Sequence, residues 1–101
     1  MKINSYVKNF DGRDYECSEI YLPKTTLLII ATEKGFVMCG ALDTAIYSTP
    51  KMIERGVLCA KALGVKNIYE LYNARVASAS FAFYELGIKD GMEIKEALKL
   101  I

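Results

Sequence analysis

Seven consecutive residues, Thr25-Thr26-Leu27-Leu28-Ile29-Ile30-Ala31, constrain this fold more than any other part of the chain. β-Branched and aliphatic side chains favour a pleated backbone. Alternation then sends Leu27, Ile29 and Ala31 to one face and Leu28 and Ile30 to the other. Both faces are apolar. Phe36 to Leu42 repeats the pattern, with Phe36, Met38 and Leu42 opposed to Val37, Cys39 and Ala41. Such strands need cover on both sides. A chain of 101 residues makes one domain. Helices from its second half can cover one face, but the chain is too short to build a second sheet over the other. Another subunit is the expected source of that cover, and the apolar share of 52% agrees with surface set aside for a partner.

The rest of the chain fits around this core. Lys2–Phe10 and Tyr15–Leu22 flank Asp11-Gly12, a hairpin signal because such turns demand positive φ. Pro23 ends the second strand, Thr25–Thr32 forms the third, and Glu33-Lys34-Gly35 turns the chain into a fourth. Residues 1–42 therefore read as a β-rich, oligomerising half of a single domain spanning 1–101, and 43–101 as a mainly helical half. Asp43 or Thr44 caps a helix that restarts at Pro50 and ends at Arg55-Gly56. Gly56 and Gly64 bracket Val57–Leu63, which favours a short strand over a continued helix. Asn67 with Glu70 makes a capping box. Ser78 or a neighbour opens a helix that stops at Leu86-Gly87-Ile88. Asp90, with Glu93, caps a last helix whose Ile94, Ala97, Leu98 and Ile101 form one apolar stripe. The fold class is α+β: an antiparallel sheet of four to five strands packed by three to four C-terminal helices.

Composition removes several functions. Thirteen basic residues balance twelve acidic ones with no basic stripe, which argues against nucleic acid. No apolar run approaches the roughly 20 residues that span a bilayer. The first residues have no apolar signal region, so the expected compartment is the cytoplasm. Cys17, Cys39 and Cys59 are odd in number and widely spaced, which fits neither a disulfide framework nor a zinc site. Histidine is absent. Its absence removes Ser-His-Asp and Cys-His pairs and histidine-ligated metals, so no metal or cofactor is expected.

Four segments together carry a family likeness: Leu22-Pro23-Lys24; Gly35-Phe36-Val37-Met38-Cys39-Gly40-Ala41-Leu42-Asp43; Ala62-Leu63-Gly64-Val65-Lys66 leading to Glu70-Leu71; and Leu86-Gly87-Ile88-Lys89-Asp90-Gly91-Met92 with Glu96-Ala97-Leu98. In this order and spacing the chain resembles the YunC-like family, small bacterial and archaeal proteins of unknown function. The resemblance covers nearly the whole chain, and Met-Cys-Gly-Ala-Leu-Asp is its most specific part. After Gly-Met the family often has small residues, where this chain has Glu93-Ile94-Lys95. The resemblance implies a tetramer formed through the N-terminal β region, and it brings no substrate, cofactor or catalytic residue.

Chemistry centres on one strand-to-helix turn. Cys39, just before Gly40 and a helix start, is the candidate nucleophile, because helix N–H groups favour a thiolate. Asp43 is its candidate catalytic partner. Lys24, Gly40 and Thr44 are the candidate ligand contacts, Gly40 because its bare backbone allows close approach. Each has a plainer role: Cys39 as core, Asp43 or Thr44 as a cap, Lys24 as a solvated turn residue. Glu54 and Arg55 are explained as a helix-end charge pair, and Phe81–Tyr84 as core plus one amphipathic tyrosine. Two functions follow. One is a homo-oligomeric module that binds a small ligand or partner protein; the other is a cysteine-dependent enzyme or thiol sensor centred on Cys39.

Overall fold

A computed structural model describes residues 1–101. Strands β1 (Lys2–Phe10), β2 (Arg13–Leu22), β3 (Thr25–Ala31) and β4 (Gly35–Met38) come first. A 3-10 helix (Thr44–Ser48) and α1 (Pro50–Arg55) lead to β5 (Leu58–Lys61); α2 (Ile68–Tyr72), β6 (Ser78–Ala79), α3 (Phe81–Glu85) and α4 (Ile94–Leu98) complete the chain. The strands form one sheet in the order β1-β2-β3-β4-β5-β6.

The α+β class is as expected, but the sheet is larger and mixed. It has six strands, and β5 runs parallel to β4. The parallel step has a simple cause. The 3-10 helix and α1 occupy the connection between β4 and β5 and carry the chain back to the start of β4, a crossover no short turn can make. The strand β6 pairs antiparallel with β5 through only Ser78 and Ala79.

The turns explain the first three pairings. Asp11 and Gly12 both take positive φ (53° and 87°), as a two-residue hairpin loop requires, and β1 pairs with β2 along its full length. Pro23 and Lys24 close the second hairpin, with Lys24 in the left-handed region at φ 64°. At the third, Thr32 Oγ1 accepts from the N–H groups of Lys34 and Gly35, each at 3.2 Å.

Helix ends follow the local chemistry with one correction. Asp43 caps the 3-10 helix by accepting from Ala45 N–H, Pro50 opens α1, and Gly56 closes it at φ 64°. Asn67 caps α2 by accepting from Glu70 N–H at 2.8 Å. Ser78 belongs to β6, and its near neighbour Ser80 is the residue that opens α3. Asp90 does not cap the last helix: its carboxylate accepts from the Tyr84 hydroxyl, and α4 starts after Glu93. The apolar stripe of α4 is unaffected, and Ile94, Ala97, Leu98 and Ile101 are all buried.

The two faces of the sheet differ. On one, Cys17, Ile30, Val37, Ala60 and Ala79 form a cross-strand row. These residues are buried with α2 and α4 in a single core. On the other face, the crossover covers the β4–β5 end, with the rings of Tyr47 and Phe36 meeting edge-on at 6.2 Å. No helix covers that face of β1, β2 and β3. There Ile3, Ile20 and Leu27 align across three strands, Ser5, Ser18, Ile29 and Met38 form the next row, and Val7, Glu16, Ala31 and Phe36 the third. Ile3 and Val7 are exposed and the aliphatic residues of β2 and β3 half-buried. The β4 alternation ends early, since the strand stops at Met38; Ala41 is exposed and Leu42 buried by the following turn.

Candidate functional site

The residues of the Met38–Asp43 turn are where chemistry was expected. Cys39 continues β4 beyond its last paired residue, and its N–H donates to Leu28 O at 3.1 Å. Its side chain faces the core and is buried. The Leu28 N–H lies 3.5 Å from Cys39 Sγ, and the thiol approaches Thr26 O at 4.0 Å. Thiol chemistry at Cys39 therefore requires the β3–β4 end to open. Gly40 is exposed, but a Cβ on it would meet Leu63 Cδ2 at 2.9 Å, so its bareness is used by packing within the chain.

Asp43 is exposed and its Oδ1 accepts from Ala45 N–H at 3.0 Å. Thr44 is buried, with Oγ1 2.7 Å from Ser78 Oγ, which ties the crossover to β6. Lys24 stands exposed on the β2–β3 turn. Register places that turn at the same end of the sheet as Gly40, because Met38 pairs with Ile29. The five candidates thus share an end of the sheet, while Cys39 and Thr44 point into the protein and Lys24 and Asp43 into solvent. Cys17 and Cys59 are also buried, and burial pushes both thiols up from their ordinary value.

Concave surface lies at the opposite end. A cleft of about 570 Å³ runs between the β3–β4 turn and the end of α1, lined by Ile29, Phe36 and Leu58 with Lys34 and Arg55. A second, of about 470 Å³, flanks the other side of the turn against Arg13, Asp14 and Glu16. A third, of about 360 Å³, lies along the β1–β2 hairpin. None is lined by Lys24, Cys39, Gly40, Asp43 or Thr44.

Position alone makes Arg55 half of a helix-end pair with Glu54. The structure holds no such pair: its two salt bridges are Lys95–Glu93 and Lys99–Glu96. Glu33 and Lys34 are by local sequence only turn residues. Nothing local marks them, because the cleft forms only when the parallel crossover brings residues 55–58 beside residues 29–36.

One hydroxyl–carboxylate cluster was also missed. Glu19 accepts from Tyr6 at 2.7 Å and from Tyr21 at 2.5 Å. The two hydroxyls, Tyr21 foremost, hold the Glu19 carboxyl below the usual carboxylate range. Tyr6 is pushed well above its ordinary value, first by burial and then by its bond to Glu19.

These features define a class: an α+β protein with a six-stranded mixed sheet, two helices closing one face, and an open apolar hairpin face. Residues 38–101 match the family model described as a domain of unknown function, DUF1805. Over 88 residues the chain is 40% identical to a protein of Bacillus subtilis (strain 168) described as "Uncharacterized protein YunC", covering 87% of this chain and 86% of that protein. The chain belongs to the YunC-like DUF1805 family. Its fold is also that of a solved protein of unknown function, TA1206 from Thermoplasma acidophilum, with a TM-score of 0.82 at 23% identity over 97% of this chain and 91% of that one. No helix is long and apolar enough to cross a membrane.

Proposed function

We propose that this protein is a self-assembling, cytoplasmic binding module: a homo-oligomer, a tetramer in the family's pattern, that presents a small-ligand or partner site. The observation that carries this reading is the uncovered face of β1–β3. Its rows place Ile3 beside Ile20 beside Leu27, and Ile29 beside Met38, with Glu16 and Asp14 the charges on that face, both towards the hairpin tip. Fully burying one such aliphatic side chain is worth roughly 1.5–3 kcal/mol over leaving it exposed. A second copy of the same face offers matching apolar rows.

The experiment is light scattering on the wild type and on Ile20→Lys. Ile20 is at the middle of its row and half-buried, so lysine is tolerated by the single chain and excluded from a dry interface. The wild type is expected at a multiple of 11.3 kDa and the variant at 11.3 kDa, with unchanged circular dichroism. A wild type that stays monomeric at micromolar concentration sinks the proposal.

A further inference from the structure

We infer that the cleft between the β3–β4 turn and the end of α1 binds a small organic anion with an apolar body. This extends the module reading above by giving it a ligand class. The cleft holds about 570 Å³, inside the roughly 300–1,000 Å³ usual for small-molecule sites. Ile29, Ala31 and Phe36, on one face of the sheet, supply its apolar wall, and Leu58 borders it with its side chain packed towards the core. Lys34 and Arg55 supply its charge, and both are exposed.

Neither cation is committed elsewhere. The two salt bridges of the protein involve Lys95 and Lys99. The arginines that donate hydrogen bonds are Arg13, to Leu98 O and Ile101 O, and Arg75, to Gly91 O. The one carboxylate in the cleft is Glu33, so its lining carries two cations against one anion. The neighbouring cleft is an internal contrast. It shares Glu33 and Lys34 but adds Arg13 against Asp14 and Glu16, two cations against three carboxylates. One turn thus divides an apolar, cationic recess from a polar, anionic one. Charge complementarity assigns the anion to the first, and the Ile29–Ala31–Phe36 wall assigns its apolar part.

The cleft also opens onto the uncovered face, since Ile29, Ala31 and Phe36 belong to both.

The test titrates octanoate, octyl phosphate and 1-octanol, each below its micelle threshold, into the ¹⁵N-labelled wild type and the K34Q/R55Q variant. Both substituted side chains are exposed and unpartnered, and an unchanged amide spectrum confirms that the variant folds. Octanoate is expected to shift the amides of Phe36, Val57 and Leu58 saturably. Octanol, and octanoate with the variant, are expected to bind roughly tenfold more weakly, the factor for one lost charge-assisted hydrogen bond. Whichever anion binds more tightly identifies the headgroup. Equal affinity for octanoate and octanol, shifts confined to other residues, or full-strength octanoate binding by the variant overturns the inference. Light scattering on the same samples separates the two proposals. An oligomer that ignores both anions removes the ligand site alone, and a monomer that binds octanoate removes assembly alone.

Discussion

The side chains that titrate most unusually are tyrosines, each tied to an acid. Tyr72 donates to Asp11 at 2.5 Å, fastening α2 to the tip of the first hairpin, while its ring stacks on Phe10 with centroids 4.1 Å apart. Tyr84 donates to Asp90 at 2.5 Å and accepts from Ala79 N–H at 3.0 Å, which links α3 to the loop before α4 and to β6. Burial raises Tyr6, Tyr72 and Tyr84, with each acid partner adding to the shift; for Tyr21 the bond to Glu19 leads. The sign follows from linkage. A raised tyrosine contributes stability that is complete below about pH 10, the unfolded value, and is lost as pH rises through the higher folded value. Glu19 works the other way. Its contribution is present above about pH 4.3 and is lost as pH falls. Absorbance at 295 nm followed upward from pH 9 is therefore expected to show four of the seven tyrosines ionising late, and all seven together near pH 10 in urea. Tyr72→Phe is expected to reduce the late amplitude and to cost about 1.5–3 kcal/mol, the range for one hydrogen bond to a charged group. A folded-state titration that overlays the urea curve contradicts these assignments.

Among the elements, the pair β4–β5 is built around one absent side chain. A Cβ on Gly35 would lie 2.3 Å from Leu58 O and 2.8 Å from Leu58 Cβ, so the parallel strands reach this spacing only over glycine. Gly35→Ala must push β5 aside, and overpacking of this kind costs roughly 1–3 kcal/mol. A lowered urea midpoint at unchanged slope is the expected result, and an unchanged midpoint refutes it. Much of the element pattern was legible from the chain. Period-two alternation gave both faces of Thr25–Ala31, and Asp11-Gly12, Asn67 and the α4 stripe marked a turn, a cap and a packing face. These signals are local. What escaped depends on distant partners: β6 is two residues long and exists only because Lys61 and Ala60 lie opposite. Asp90 resembled a cap until Tyr84, six residues earlier in the chain, claimed its carboxylate. The placing of Cys39 at a strand-to-helix turn was legible too, and so was its face, shared with Val37 by alternation; its contacts to Thr26 and Leu28 depend on the neighbouring strand.

On the scale of the whole molecule, the distribution of burial is the central fact. Only 24 of 101 residues are buried, and in β1 only Phe10 is among them. The accessible surface is 6075 Å², against roughly 5,700 Å² expected for a monomer of this mass. The strand β1 pairs with β2 alone and leaves its outer edge unpaired, and a two-stranded hairpin is marginal in water without further packing. At the other end Phe10, Tyr15 and Tyr72 anchor the hairpin tip to α2, and Arg13 ties it to carbonyls of the C-terminal segment. Stability should therefore fall along the hairpin from its anchored tip towards Lys2, unless a second copy covers the open face. Hydrogen exchange read residue by residue can measure that gradient. In Ile20→Lys, the amides of Ile3 to Val7 are expected to exchange orders of magnitude faster than those of Leu28, Ile30 and Val37. In the wild type at high concentration the same β1 amides should gain protection, and lose it on dilution, while the core amides stay unchanged. If β1 is equally protected at every concentration and in the variant, the hairpin is stable on its own and its apolar rows need a purpose other than assembly.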